Sequence, residues 1–146
     1  MIPRPDLLDA QSPPGIEVFQ LTAEANTPSC HIYMEAQIFT PDSRRLILHR
    51  SAHAHGSRRD DPEHRFLLCD LNNHGALSPL TYETGATAPA LSPDGHWLYY
   101  FIDETRPGGG QLTLRRVRLD KAERETLLTL ATPIPGTRRR PTKIYS

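Results

Sequence analysis

Leu91-Ser92-Pro93-Asp94-Gly95-His96-Trp97-Leu98-Tyr99-Tyr100-Phe101 reads as strand, turn, strand, and the chain nearly repeats it. Fifty-two residues earlier stands Phe39-Thr40-Pro41-Asp42-Ser43-Arg44-Arg45-Leu46-Ile47-Leu48. In both copies an apolar strand end meets a Ser/Thr-Pro-Asp-Gly/Ser turn, and a second apolar strand follows. Proline sets the backbone angle at the first central turn position, and the aspartate accepts hydrogen bonds from amides just ahead of it. Gly95 supplies the positive φ that ends the turn; Ser43 takes that position less comfortably.

The repeat extends past the turn. A third strand is expected over Arg65-Phe66-Leu67-Leu68-Cys69-Asp70-Leu71 and over residues 112–120, and a fourth ends in Leu80-Thr81 and Leu128-Thr129. A further Leu21-Thr22 closes the segment 16–22 without the strands that should precede it. Four short strands per unit, repeated at a period near 50, describe a propeller blade. The expected fold is therefore all-β: a partial β-propeller of about two four-stranded antiparallel blades plus flanking strands. The expected organisation is an amino-terminal extension over 1–15 and an incomplete propeller domain over 16–146. Its blades lie at about 32–81 and 86–130, with the next begun at 143–146. The stretch from Lys121 to Leu130 also suits a short helix, although its Thr-Leu-Leu-Thr fits a final strand equally well.

The Ser-Pro-Asp-Gly turn before an aromatic strand resembles the propeller repeats of TolB and of prolyl-oligopeptidase-type proteins. More narrowly, Cys30-His31-Ile32-Tyr33 leading into Gln37-Ile38-Phe39-Thr40-Pro41-Asp42 is similar to the early part of the oligogalacturonate lyase family. Gly85-Ala86-Thr87-Ala88-Pro89 before the second turn shares that similarity. The resemblance implies a lyase acting by β-elimination on acidic sugars. It also implies a Mn2+ ion held in later blades by histidines and a glutamine, so this segment itself is expected to hold no cofactor or metal. No catalytic residue is carried over to a numbered position here. A TolB-like binding or scaffold propeller, or the propeller of a hydrolase, is the alternative; no Gly-x-Ser-x-Gly elbow supplies a nucleophile.

Seventeen basic residues balance seventeen acidic ones, so no global field recruits nucleic acid or an anionic membrane. No apolar run approaches the roughly 20 residues that cross a bilayer. The amino terminus lacks the regions of a secretory signal, and two cysteines make no disulfide framework, which points to the cytoplasm. Cys69, within an apolar strand, is expected as a buried free thiol. A complete propeller typically closes about 4 to 8 blades into a ring, and closure hides the blade faces. Two blades expose theirs, so the expected partners are the remaining blades of a longer protein or a second chain.

Blade topology gathers the loops after each second strand, and those entering each first strand, on one rim. Five of the seven histidines (His31, His49, His53, His55 and His64) fall there, with Arg50 and Arg106. An arginine fork grips a carboxylate through two hydrogen bonds, and histidine carries charge only below about pH 6.5. His31, Arg50, His53, His55 and Arg106 are therefore the candidate substrate-binding residues for an acidic oligosaccharide. His53-Ala54-His55 projects two imidazoles to one strand face, but two ligands make no metal site unless His31, His49, His64 or Glu35 complete it. Gly108-Gly109-Gly110 lacks the lysine of a phosphate loop and reads as a hairpin connection.

Overall fold

Both copies of the turn close through the same hydrogen bonds. In the computed structural model, which describes residues 1–24, 27–32, 36–51, 61–106 and 109–131, the Thr40 and Ser92 hydroxyls are the hubs. They donate to Asp42 and Asp94 Oδ1 at 2.6 and 2.5 Å, and accept from the Arg45 and Trp97 amides at 3.1 and 2.9 Å. The same aspartate oxygens accept from the Arg44 and His96 amides. Those bonds, the hydroxyl's first, hold both carboxyls below the usual aspartate range. Ser43 and Gly95 end the turns at φ 57° and 69°. The two positions are nevertheless unequal, because a Cβ on Gly95 would fall 2.5 Å from Pro41 Cδ. The second turn leans on the first, so only the second requires glycine.

Ten strands result. β1 (Ile2–Pro3) and β2 (Phe19–Gln20) form an antiparallel pair. β3 (Ser29–His31), β4 (Arg45–Arg50), β5 (Arg65–Asp70) and β6 (Ala76–Pro79) form one four-stranded antiparallel sheet in chain order. β7 (Ala86–Leu91), β8 (Trp97–Asp103), β9 (Leu112–Arg118) and β10 (Arg124–Leu130) form the other. The chain is all-β, and these sheets are the two blades of a partial propeller. Helix among the described residues is confined to two single 3-10 turns, Pro5–Leu7 and Leu71–Asn73. The ambiguous stretch ending at Leu130 is strand β10. Residues 143–146 lie outside the described residues.

The Leu-Thr pairs turn out to be different things. Leu80 and Thr81 follow β6: Leu80 is buried in the inter-blade core, and the Thr81 hydroxyl accepts from the Phe66 amide at 2.9 Å. Leu21 packs in the corresponding way against the other face of the first blade. Leu128-Thr129 instead lies inside β10, an edge strand exposed along its whole length, beside a register shift against β9 between Thr126 and Leu128. A dipeptide match cannot register such a bulge.

Burial explains the stacking. Along β8, Leu98, Tyr100 and Ile102 are buried while Trp97, Tyr99 and Phe101 are only partly covered, the period-2 signature of a sheet with one packed face. The packed face joins Val117, Ala86 and Leu91 with Ile47, Phe66, Leu68 and Leu80 of the first blade in one core. Polar groups tie the same junction. Glu83, in the connection between blades, accepts from Arg115 Nη1 at 2.7 Å and from the Tyr100 hydroxyl at 3.2 Å. Arg124 donates to the Leu80 carbonyl at 2.9 Å and lies over the Tyr82 ring. Burial, with the Glu83 charge, pushes the Tyr100 hydroxyl up to about 12.

The first blade buries both faces. Its far side, built from Leu46, Leu48, Leu67 and Cys69, packs with Leu21 of the amino-terminal segment. The Met1 ammonium donates to the His74 carbonyl and tethers that segment. Among the described residues one blade face is therefore left uncovered, where two were expected: the outer face of β8–β10, carrying Trp97, Tyr99, Phe101, Leu112, Leu114 and Leu128. Arg116 and Arg118 cover part of it by lying over the Trp97 ring at 4.2 and 5.7 Å. We expect the 146-residue chain to self-associate or to bind a hydrophobic dye through this face. A monodisperse monomer that leaves the dye unchanged would show that the two arginines suffice as a cap.

Candidate functional site

The inner strand of the first blade meets β4 with Ser29 opposite Arg50, Cys30 opposite His49 and His31 opposite Leu48. The strand then detours. Between the pairs His31↔Leu48 and Phe39↔Leu46 it advances eight residues while β4 moves two. Ile47 serves both halves, accepting from the Ile32 amide and donating to the Ile38 carbonyl. The second blade has a smaller irregularity at the same place, between Thr87 and Ala90, with Ala88 at φ 49°. This end of the blade lies opposite the Pro41 turn, as the topology required.

Strand alternation divides the rim residues between two faces. His31 and Arg50 share the face of Leu48, toward the amino-terminal segment. His31 is exposed, and its Nδ1 lies 2.6 Å from the Ile32 carbonyl. A carbonyl only accepts, so Nδ1 carries the proton and the Nε2 lone pair is left for other partners. Arg50 is committed: Nη2 reaches Glu24 Oε2 at 3.2 Å and Nε reaches Ser29 Oγ at 3.4 Å, leaving its side chain 18% exposed. Its fork ties the amino-terminal segment to the blade, and gripping a ligand carboxylate would require releasing Glu24. Arg106 is the equivalent rim residue of the second blade. It is exposed at a tight hairpin, where its backbone bonds Gly109 in both directions. Gly110, at φ 114°, is required there because a Cβ would sit 2.5 Å from the Glu104 carbonyl oxygen. His53 and His55 lie outside the described residues.

Cys30, His49 and His64 occupy the opposite face, and their grouping escapes a reading of the sequence. His49 Nε2 lies 3.0 Å from His64 Nδ1, and His49 Nδ1 lies 3.7 Å from Cys30 Sγ. Both rings pack against Phe66 with centroids 5.8 Å away. Burial pushes the His49 imidazolium down to about 4, and the charge on a protonated His64 pushes the same way. One signal was available: His49 and Arg50 are adjacent in a strand and must face opposite ways. The pairing of Cys30 with His49 depended on register. Among the described residues no group of three or more His, Cys, Asp or Glu converges as a metal site, and no helix is long and apolar enough to cross a membrane.

The fold has a known structural counterpart. A solved structure of an oligogalacturonate lyase in complex with manganese is similar to this chain at a TM-score of 0.57 and 28% sequence identity. The similarity covers 81% of this chain and 27% of that one, so the chain spans about a quarter of the lyase's length. No family model and no curated protein matches the chain. The neighbour is a propeller, as the two blades here require.

Proposed function

We propose that this chain is the opening part of a propeller lyase that cleaves oligogalacturonate-type acidic sugars by β-elimination. The supporting observation is the structural likeness to the manganese-bound oligogalacturonate lyase over 81% of the chain. Such a reaction removes the C5 proton of a uronic acid and expels the C4 glycosidic oxygen, leaving an unsaturated sugar. Its anionic intermediate requires cationic stabilisation, which Mn2+ and arginines outside the residues described here would supply. The blades described here supply rim contacts. Arg106, whose guanidinium has no partner among the described residues, presents its fork to a substrate carboxylate, and His31 presents Nε2 as a hydrogen-bond acceptor for a sugar hydroxyl. His53 and His55 belong to the same proposed rim. Arg50 acts indirectly by holding the amino-terminal segment beside it.

Titration calorimetry with galacturonate oligomers tests the reading. We expect weak binding, with Kd on the order of millimolar, that loosens about threefold as ionic strength rises from roughly 0.05 to 0.2 M. Arg106→Ala should weaken it further. Binding that ignores salt and Arg106, or no binding at all, removes the rim from the substrate path. Tight binding with turnover would place the chemistry in these blades instead of later ones.

A further inference from the structure

The Cys30–His49–His64 cluster has no part in the rim contacts proposed above. Cys30 is exposed, whereas Cys69 is buried with no exposed surface. Three features distinguish Cys30 from an ordinary surface thiol. Its sulfur lies 3.7 Å from a ring nitrogen of His49. The other ring nitrogen of His49 lies 3.0 Å from His64 Nδ1, so the two imidazoles share one proton across that contact. Phe66 packs against both rings and holds them in this orientation.

We propose that Cys30, His49 and His64 form a proton relay that makes Cys30 a reactive thiol, a modification site for low-molecular-weight disulfides. The Cys30 proton passes to His49 Nδ1 as the His49 Nε2 proton passes to His64 Nδ1. The thiolate then attacks one sulfur of the disulfide, a Cys30–S–S–R bond forms, and the R–S⁻ that leaves recovers the proton through the same two rings. His49 is the base; His64 is a positioning residue that fixes the tautomer of His49 and receives the charge. The thiolate is the reacting species, and an unperturbed thiol is only a few per cent ionised at neutral pH. For thiols in general, each unit of lowered pKa raises the thiolate fraction about tenfold but the rate near pH 7 only about threefold, because a less basic thiolate is a poorer nucleophile.

Iodoacetamide followed by peptide mapping reads the effect. At pH 7 the folded chain should be labelled at Cys30 about threefold faster than the same chain unfolded in urea, with Cys69 unlabelled in the folded form. His49→Gln should abolish the advantage. His64→Asn, whose amide oxygen still accepts a hydrogen bond from His49 Nε2 but cannot take its proton, should lose most of it, and His64→Phe should lose all of it. Oxidised glutathione should add one mixed disulfide, at Cys30. Equal rates for folded and unfolded chain, a His49→Gln rate matching the parent, or glutathione found on Cys69 would each overturn the proposal. The urea comparison needs no variant, so misfolding of a substituted chain cannot decide the result.

Discussion

Replacing Leu98 by alanine should lower the unfolding free energy of the chain by about 3 kcal/mol and its Tm by about 8 °C. Leu98 is fully buried and lies in the core that joins Ile47, Phe66 and Leu80 of the first blade to Val117 and Tyr100 of the second. Truncation removes apolar surface and leaves a cavity that two rigid sheets cannot collapse to fill. Phe101, three residues along the same strand, points to the outer face. It is the larger side chain, yet Phe101→Ala should cost no more than about 1 kcal/mol, because water already reaches that face. Urea denaturation with an unchanged m-value measures both. Equal costs at the two positions would mean that the inter-blade face has been assigned to the wrong side of β8.

Acidification from pH 7 to pH 5 should weaken the fold, and His49 should account for about 1.5 kcal/mol of the loss. In the unfolded chain its imidazole takes a proton near 6.5, but in the fold burial and His64 lower this to about 4. Between these values the unfolded state binds more protons than the native state, so stability falls as pH falls. Above about 6.5 both states are neutral there and the contribution is complete. The figure is set below the full shift because part of the ring still meets water. His49→Gln, compared with the parent at each pH, cancels the other histidines and should flatten the profile between pH 7 and 5. Asp42 and Asp94 act elsewhere: their lowered pKa values give stability that is lost only as pH drops below the ordinary aspartate value of 3.8. A slope between pH 7 and 5 that survives His49→Gln would locate the effect outside the cluster.

The architecture was legible because its signals are local. The Pro-Asp turn closes through a hydroxyl two residues before the aspartate and amides just after it, so everything the turn needs lies within six residues of chain. The alternation of Leu98, Tyr100 and Ile102 with Trp97, Tyr99 and Phe101 is likewise local, and it marks one face of β8 for burial. The Leu-Thr signature was less informative. Leu80-Thr81 has a tertiary role, whereas Leu128-Thr129 shares only the letters, because it lies in an edge strand exposed along its whole length.

The candidate site divides in the same way. From the sequence alone, strand order and turn chemistry determine two antiparallel blades and the rim on which His31, Arg50 and Arg106 stand. Those elements follow from φ preferences and from alternation along a single strand. What each rim residue does was decided only by the tertiary structure. Arg50 is spoken for by Glu24, twenty-six residues away, and Cys30 meets His49 through a register that no local pattern specifies. His64 reaches His49 across the β4–β5 connection. Side-chain partners arise from the alignment of separate strands and segments, and a shift of one residue in that alignment would exchange the faces and every pairing with them.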